Sequence, residues 1–360
     1  MAGSYILITG GAGFVGSNLA DALARDGERV VVLDNLSRPG VSRNAEWLVA
    51  RHGTGVRVEH GDVRDAALVD RLVADAAGVY HFAAQVAVTT SLNDPLDDLR
   101  TNLLGTFAVL EAARQRSDPP PVLFTSTNKV YGGLDHLRVE LDGDRYRLVE
   151  RPYGVSEEEP LDFHSPYGCS KGAAGQYVRD YARVYGVPGV VFRMSCIYGR
   201  RQWGTEDQGW LAHFGRALLR GEPVTIFGDG HQVRDILWID DLIAAMRSAM
   251  ARIDVVAGRF LNIGGGPGST VTVREAVDRL AAALDVEPDV SYGDWRPGDQ
   301  RVYVTDAREA QRLLDWQPRV RVDQGLDRLL EWLREAESLA RGPARRARRV
   351  APGAALRAAS

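Results

Sequence analysis

The sequence predicts an α/β chain built on a doubly wound parallel sheet, followed by a smaller α/β domain. Three observations predict it. Short β-branched runs alternate with amphipathic segments over the first 130 residues, a glycine-rich turn joins the first run to the first helical segment, and the pattern changes near residue 196 to shorter elements rich in Gly, Trp and Arg. With 360 residues the chain can bury a large core and lies near the size at which one core divides into two intimate domains.

The elements follow in order. Apolar residues from Tyr5 to Ile8 form the first strand, and a helix runs from the glycine turn to about Arg25. Further strands are read at 30–34 (VVVLD), 56–60 (VRVEH), 79–84 (VYHFAA) and 122–127 (VLFTST). Residues 132–160 break the rhythm with charge and glycine, including Glu157, Glu158 and Glu159, and read as a long loop or small hairpin near the ligand edge of the sheet. A helix over Pro166–Tyr185 and a strand over Val190–Met194 complete a first domain, 1–195. A second domain spans 196–338, with the apolar runs Ile236–Ile239 and Phe260–Ile263, inside 235–263, expected to return to the first sheet.

Composition narrows the function classes. Hydrophobic residues make up 45% and charged residues 26%, which excludes a disordered or fibrous chain. No run approaches the ~20 apolar residues of a membrane span, and the N-terminus shows no cleavable leader, so a cytoplasmic protein without a membrane partner is expected. The two cysteines, Cys169 and Cys196, and the seven histidines show no ligand spacing, so no metal site is expected, and the cysteines read as small buried residues. The net charge of −4 divides into −10 for residues 1–340 and six arginines in 341–360. Such a tail is a disordered, solvated end, and no nucleic-acid partner is assigned to it. Of the 44 basic residues only Lys129 and Lys171 are lysine.

The segment Thr9–Gly16 (TGGAGFVG) lies between strand and helix. Gly10, Gly13 and Gly16 permit a tight turn, close backbone approach to a pyrophosphate and close helix packing, while the helix N-terminus presents N–H groups around Phe14 and Val15. The second strand ends at Asp34, 18 residues after Gly16, where a carboxylate accepts from a ribose diol and repels a 2′-phosphate. NAD is therefore expected rather than NADP, in a Rossmann-type site that Asn35, Ser37 and Arg38 border. Asp62 and Val63, after the third strand, are placed to meet the adenine.

Tyr167 and Lys171 lie four apart, on one face of a helix. A tyrosine titrates near ~10 and a base useful at neutrality near ~7, a gap of roughly 4 kcal/mol. A cation about 4–6 Å away offsets most of it. The spacing alone is a weak signal. The hydroxyls of Thr125, Ser126 and Thr127 strengthen it, because they end a strand where open sheets bind ligands.

Taken together, TGGAGFVG, Asp34, STNKVYG and YGCSK resemble the extended short-chain dehydrogenase/reductases that act on nucleotide-diphosphate sugars, over about residues 4–335. The resemblance implies Tyr167 as base, Lys171 as the cation that orients the cofactor ribose, and Thr127 as the hydroxyl that orients the sugar. It also places Ala83, Ala84, Gln85, Asn102 and Met194 along the cofactor. Dehydratases of this group follow the Thr with an acid pair. Here Asn128 and Lys129 stand there, which disfavours loss of water. The central third is similar to the CDP-paratose 2-epimerases, which implies a CDP-sugar partner and reversible oxidation at sugar carbon 2. Arg193 is followed by Met194 and Ser195 where the enterobacterial type has a different pair, which leaves the sugar open. Arg234 and Arg301 match the pyrophosphate arginines of the group, and Gln208, before Trp210, is placed near base or phosphate. A homo-oligomer is expected. Two other readings stay open: a 4-epimerase or 4,6-dehydratase of an NDP-hexose, and a catalytically silent nucleotide sensor.

Overall fold

The computed structural model describes residues 4–296 and 298–340; the arginine-rich tail lies outside the described residues. Strands β1 (Tyr5–Thr9), β2 (Val30–Asp34), β3 (Val56–His60), β4 (Ala76–His81) and β5 (Val122–Thr127) form most of the central sheet, joined after a hairpin of β6 (Val139–Asp142) and β7 (Arg145–Leu148) by β8 (Gly189–Met194). Beyond β9 (Cys196–Tyr198), β10 (Val224–Phe227) and β11 (Val233–Trp238), a last strand β12 (Phe260–Ile263) adds itself to the edge of β8. The order is β12-β8-β5-β4-β1-β2-β3, and all neighbours are parallel. Helices cover both faces. The inner strands are therefore buried on both sides, which is why β2 reads as VVVLD rather than as an alternating pattern.

A smaller unit packs beyond the carboxyl ends of this sheet. Its sheet sets β11 between β13 (Thr270–Thr272) and β15 (Val302–Tyr303), with β9 also on β11; β10 pairs with β14 (Val290–Gly293). The helix Val273–Leu284 beside it starts with a capping box, in which Thr272 accepts from Glu275 N–H and Glu275 accepts from Thr272 N–H.

Two expectations need correction and a third is made more definite. Residues Ile236–Ile239 do not return to the first sheet: β11 joins the small one, and only β12 goes back. A continuous apolar run marks a buried strand and says nothing about which of two sheets buries it. The fourth strand ends at His81, short of Ala84, because the Thr9 hydroxyl takes the Ala83 N–H (3.3 Å) and turns the chain out of the ladder. The 132–160 segment contains the β6–β7 hairpin, but it leans on the small sheet and lines neither cavity described below. Tyr146 holds it there, its N–H on His231 O and its hydroxyl on Asp229.

Candidate active site

Two cavities open at the carboxyl ends of the central strands and meet at Tyr167, Ser126 and Met194. The first, of 580 Å³, runs over the glycine turn. A Cβ on Gly16 would stand 2.4 Å from Gly11 Cα, and one on Gly10, whose φ is +66°, 2.6 Å from Ala83 N, so neither position accepts a side chain. The helix Phe14–Arg25 has no side-chain cap, which leaves its first N–H groups for an anion. Asp34 accepts from the N–H of Ala12 (3.0 Å) and Leu36 (2.9 Å), which aims its carboxylate across the turn. Burial raises this carboxyl, and the two N–H groups oppose the rise.

Around this cleft lie Gly10, Gly13, Phe14, Val15, Gly16, Asp34, Asn35, Ser37, Arg38, Asp62, Val63, Ala83, Ala84, Gln85, Thr125, Lys171 and Met194. Asn102 is the exception. It is buried on a wide helical turn behind the cleft, where it takes the Gln85 N–H (2.8 Å) and donates to Gln85 O (3.1 Å). Its effect on a cofactor therefore passes through the Gln85 loop. Arg64, which sequence reasoning missed, forks onto Asp62 with contacts of 2.7–2.9 Å and, beside Asn35, holds that carboxyl down at about 2.

The second cavity, of 360 Å³, extends from Tyr167 and Thr127 toward β10. Asn128, Lys129, Ser195, Gln208 and Arg234 line it. Arg301 does not: it is exposed and lies against the Tyr146 ring, 5.5 Å from its centroid. A further cation on the cavity wall, beside Lys129 and Arg234, is Arg296, 3.8 Å over the Phe227 ring. In a chain with so many arginines no local signal separates the two, and Arg301 is carried past the wall by its place before β15. Arg234 pairs with Asp299 at 2.7 Å, and Lys129 reaches the same carboxylate at 3.5 Å and Gly298 O at 3.2 Å. Burial alone would raise Asp299; Arg234 and Lys129 overturn that and hold it below the usual carboxylate range. Ser195 donates to the buried Asp235, so its hydroxyl is already engaged. Cys196 lines the cavity and burial pushes its thiol up, whereas Cys169 is exposed, against expectation.

At the junction, the Tyr167 hydroxyl meets Thr127. The helix Ser165–Val184 starts with Pro166 at its first turn and places Lys171 one turn beyond the tyrosine, 4.1 Å from the Phe124 ring centroid. Burial pushes Tyr167 up to about 12 against the Thr127 hydrogen bond, and Lys171 down to about 7 against the field of Asp98. Burial and the Asp98 charge thus oppose ionisation of the phenol, and the Thr127 hydrogen bond and the Arg38 charge favour it.

The residues present fit a dinucleotide. A backbone cradle without room for side chains, a free helix N-terminus and an acid across the turn are the parts that hold a pyrophosphate and a ribose diol. Residues 6–264 match the model of the NAD dependent epimerase/dehydratase family. The chain belongs to that family. Its members are NAD-dependent enzymes on nucleotide sugars, and the Rossmann-type fold, NAD as cofactor and enzymatic function hold here as well. The chain is 40% identical over 334 residues, 91% of its length and 98% of the relative, to CDP-paratose 2-epimerase of Salmonella typhi. Among solved structures it resembles the UDP-glucose 4-epimerase of Thermotoga maritima with UDP-glucose, at TM-score 0.80 and 31% identity over 92% of this chain and 99% of that one. It is equally similar in shape to the UDP-glucuronic acid 4-epimerase of Bacillus cereus in complex with UDP-glucuronic acid and NAD, at TM-score 0.80 and 27% identity, over 92% of this chain and 99% of that one.

Proposed function

We propose that this enzyme epimerises a CDP-sugar at carbon 2. The carrying observation is the wall of the sugar cavity beside Thr127 and Tyr167, where Asn128 and Lys129 follow Thr127 in place of the acid pair that would expel water. The likeness to the Salmonella 2-epimerase favours carbon 2 and cytidine over the 4-epimerases, to which identity is lower. Bound NAD supplies a reversible hydride acceptor, so that the carbon is oxidised and re-reduced from its other face. Tyr167 takes the hydroxyl proton and returns it, Thr127 fixes the phenol and the sugar oxygen, and Lys171 stabilises the phenolate. The Arg234 fork and Arg296 face the diphosphate, while Lys129 and Gln208 border the sugar nucleotide.

Turnover of CDP-paratose or CDP-tyvelose in heavy water tests this. Carbon 2 inverts without taking up deuterium; deuterium at that carbon, or a 4-keto product, overturns the proposal. Tyr167→Phe lowers kcat by about a thousandfold with NAD still bound, and a wild-type protein inert on all nucleotide sugars favours a sensor.

A homo-oligomer belongs to the same proposal. Leu96, Leu99, Phe107, Tyr177, Val184 and Tyr185 are each more than 40% exposed, and Phe107 stacks edge-on against Tyr177, which makes an apolar face suited to a second copy. Sedimentation of the full chain as a monomer counts against it. The compartment we assign is the cytoplasm, tested by fractionation.

A further inference from the structure

Asp98 lines neither cavity and is fully buried. A carboxylate taken out of water costs several kcal/mol unless its oxygens are satisfied. Here both are: Oδ2 accepts from the Ser170 hydroxyl at 2.5 Å and Oδ1 from the Asn102 amide at 3.0 Å. The amide nitrogen only donates, so Oδ1 is an acceptor; burial raises the carboxyl, and the Ser170 hydrogen bond and the Lys171 charge oppose that rise. The two partners lead to the two parts of the site. Ser170 precedes Lys171 on the catalytic helix, and Asn102 clamps the Gln85 loop of the cofactor cleft. The Lys171 ammonium, 3% exposed and set over the Phe124 ring, has no ion pair among the described residues.

We propose that Asp98 is a positioning residue that keeps Lys171 in its ammonium form beside Tyr167, by setting one buried negative charge behind the catalytic helix. This rests on Lys171 being the cation of the Tyr167 pair and does not depend on which sugar is turned over. The other groups facing these residues do not substitute for it. Asp97, next to Asp98, is half exposed and paired with Arg64 at 2.7 Å. His81, from β4, is pushed down to about 3 by burial and stays neutral, while Arg38 faces Tyr167 from the loop after β2. Asp98 also opposes ionisation of Tyr167, which makes the cation it secures on Lys171 the more necessary. Burial pushes Lys171 down and the Asp98 charge opposes that fall, so loss of the charge lowers the lysine further.

The chain contains only two lysines, which makes the test direct. In full-length protein labelled with [ε-13C]lysine, two signals are expected, and Lys129→Arg assigns them. Asp98→Asn keeps the shape and removes the charge; the Lys171 midpoint falls by about one pH unit or more, with and without NAD. Ser170→Ala removes a hydrogen bond but keeps the charge, and moves the midpoint by less than half as much. If Asp98→Asn does not fold, Asp98→Ser is read in its place. An unchanged midpoint in the charge-removing variant, or an equal shift in Ser170→Ala, overturns the proposal. The alkaline limb of turnover moves down with the midpoint; absence of turnover in wild type counts against the epimerase reading alone and leaves the lysine titration to decide this one.

Discussion

The cofactor cleft and the sugar cavity share Tyr167 but are made differently. The cleft is made largely of backbone: a glycine turn, a helix N-terminus and strand ends that follow one another along the first third of the chain. The sugar cavity is made of side chains from β5, β8, the segment before Trp210, β10, β11 and the loop at Arg296–Asp299. Backbone sites are fixed by local conformation, and side-chain sites by which distant segments happen to pack together. The first therefore tolerates almost no substitution at its glycines, and the second is free to change its ligand.

The sharpest test of this contrast is Gly16→Ala. Its Cβ meets backbone rather than a side chain that can move aside, so NAD affinity falls about a hundredfold, or roughly 3 kcal/mol, as measured by calorimetry. An affinity within threefold of wild type breaks the comparison.

Next is the cost of placing a cation where the two regions meet. Burial depresses Lys171 from its ordinary 10.5 to about 7, so between these values the unfolded chain binds the proton more tightly and stability rises with pH. Below pH 7 the folded protein carries the buried charge at full cost. Lys171→Met therefore stabilises the cofactor-free protein at pH 6 by roughly 2 kcal/mol, and the gain fades by about pH 10. Thermal unfolding across that range checks it, and a gain independent of pH points to packing instead.

The smallest effects separate two arginines. Arg234→Ala raises KM for the nucleotide sugar about tenfold with kcat little changed, whereas Arg301→Ala leaves both within error. Equal effects would return Arg301 to the cavity wall.

The sequence by itself determined the central sheet, the glycine turn, Asp34 and the Tyr167, Lys171 and Thr127 constellation. The strands, the glycine turn and the Tyr167–Lys171 spacing depend on residues close in sequence, whereas the sheet and the meeting of Thr127 with Tyr167 join distant segments and were legible through the family resemblance. Tertiary structure decided the rest. It chose the sheet that buries Ile236–Ile239, set the hairpin against the small sheet and placed Arg296 rather than Arg301 on the cavity wall. It also put Asn102 behind the Gln85 loop and brought Asp98 up to Ser170, 72 residues away. An apolar run or a charged side chain carries no address, because burial and Coulomb attraction are satisfied by whichever partner the fold delivers. The ionisation of Tyr167 and Lys171 belongs to this second class. Their spacing along the helix is local, but their pKa values are set by how much water the whole fold excludes.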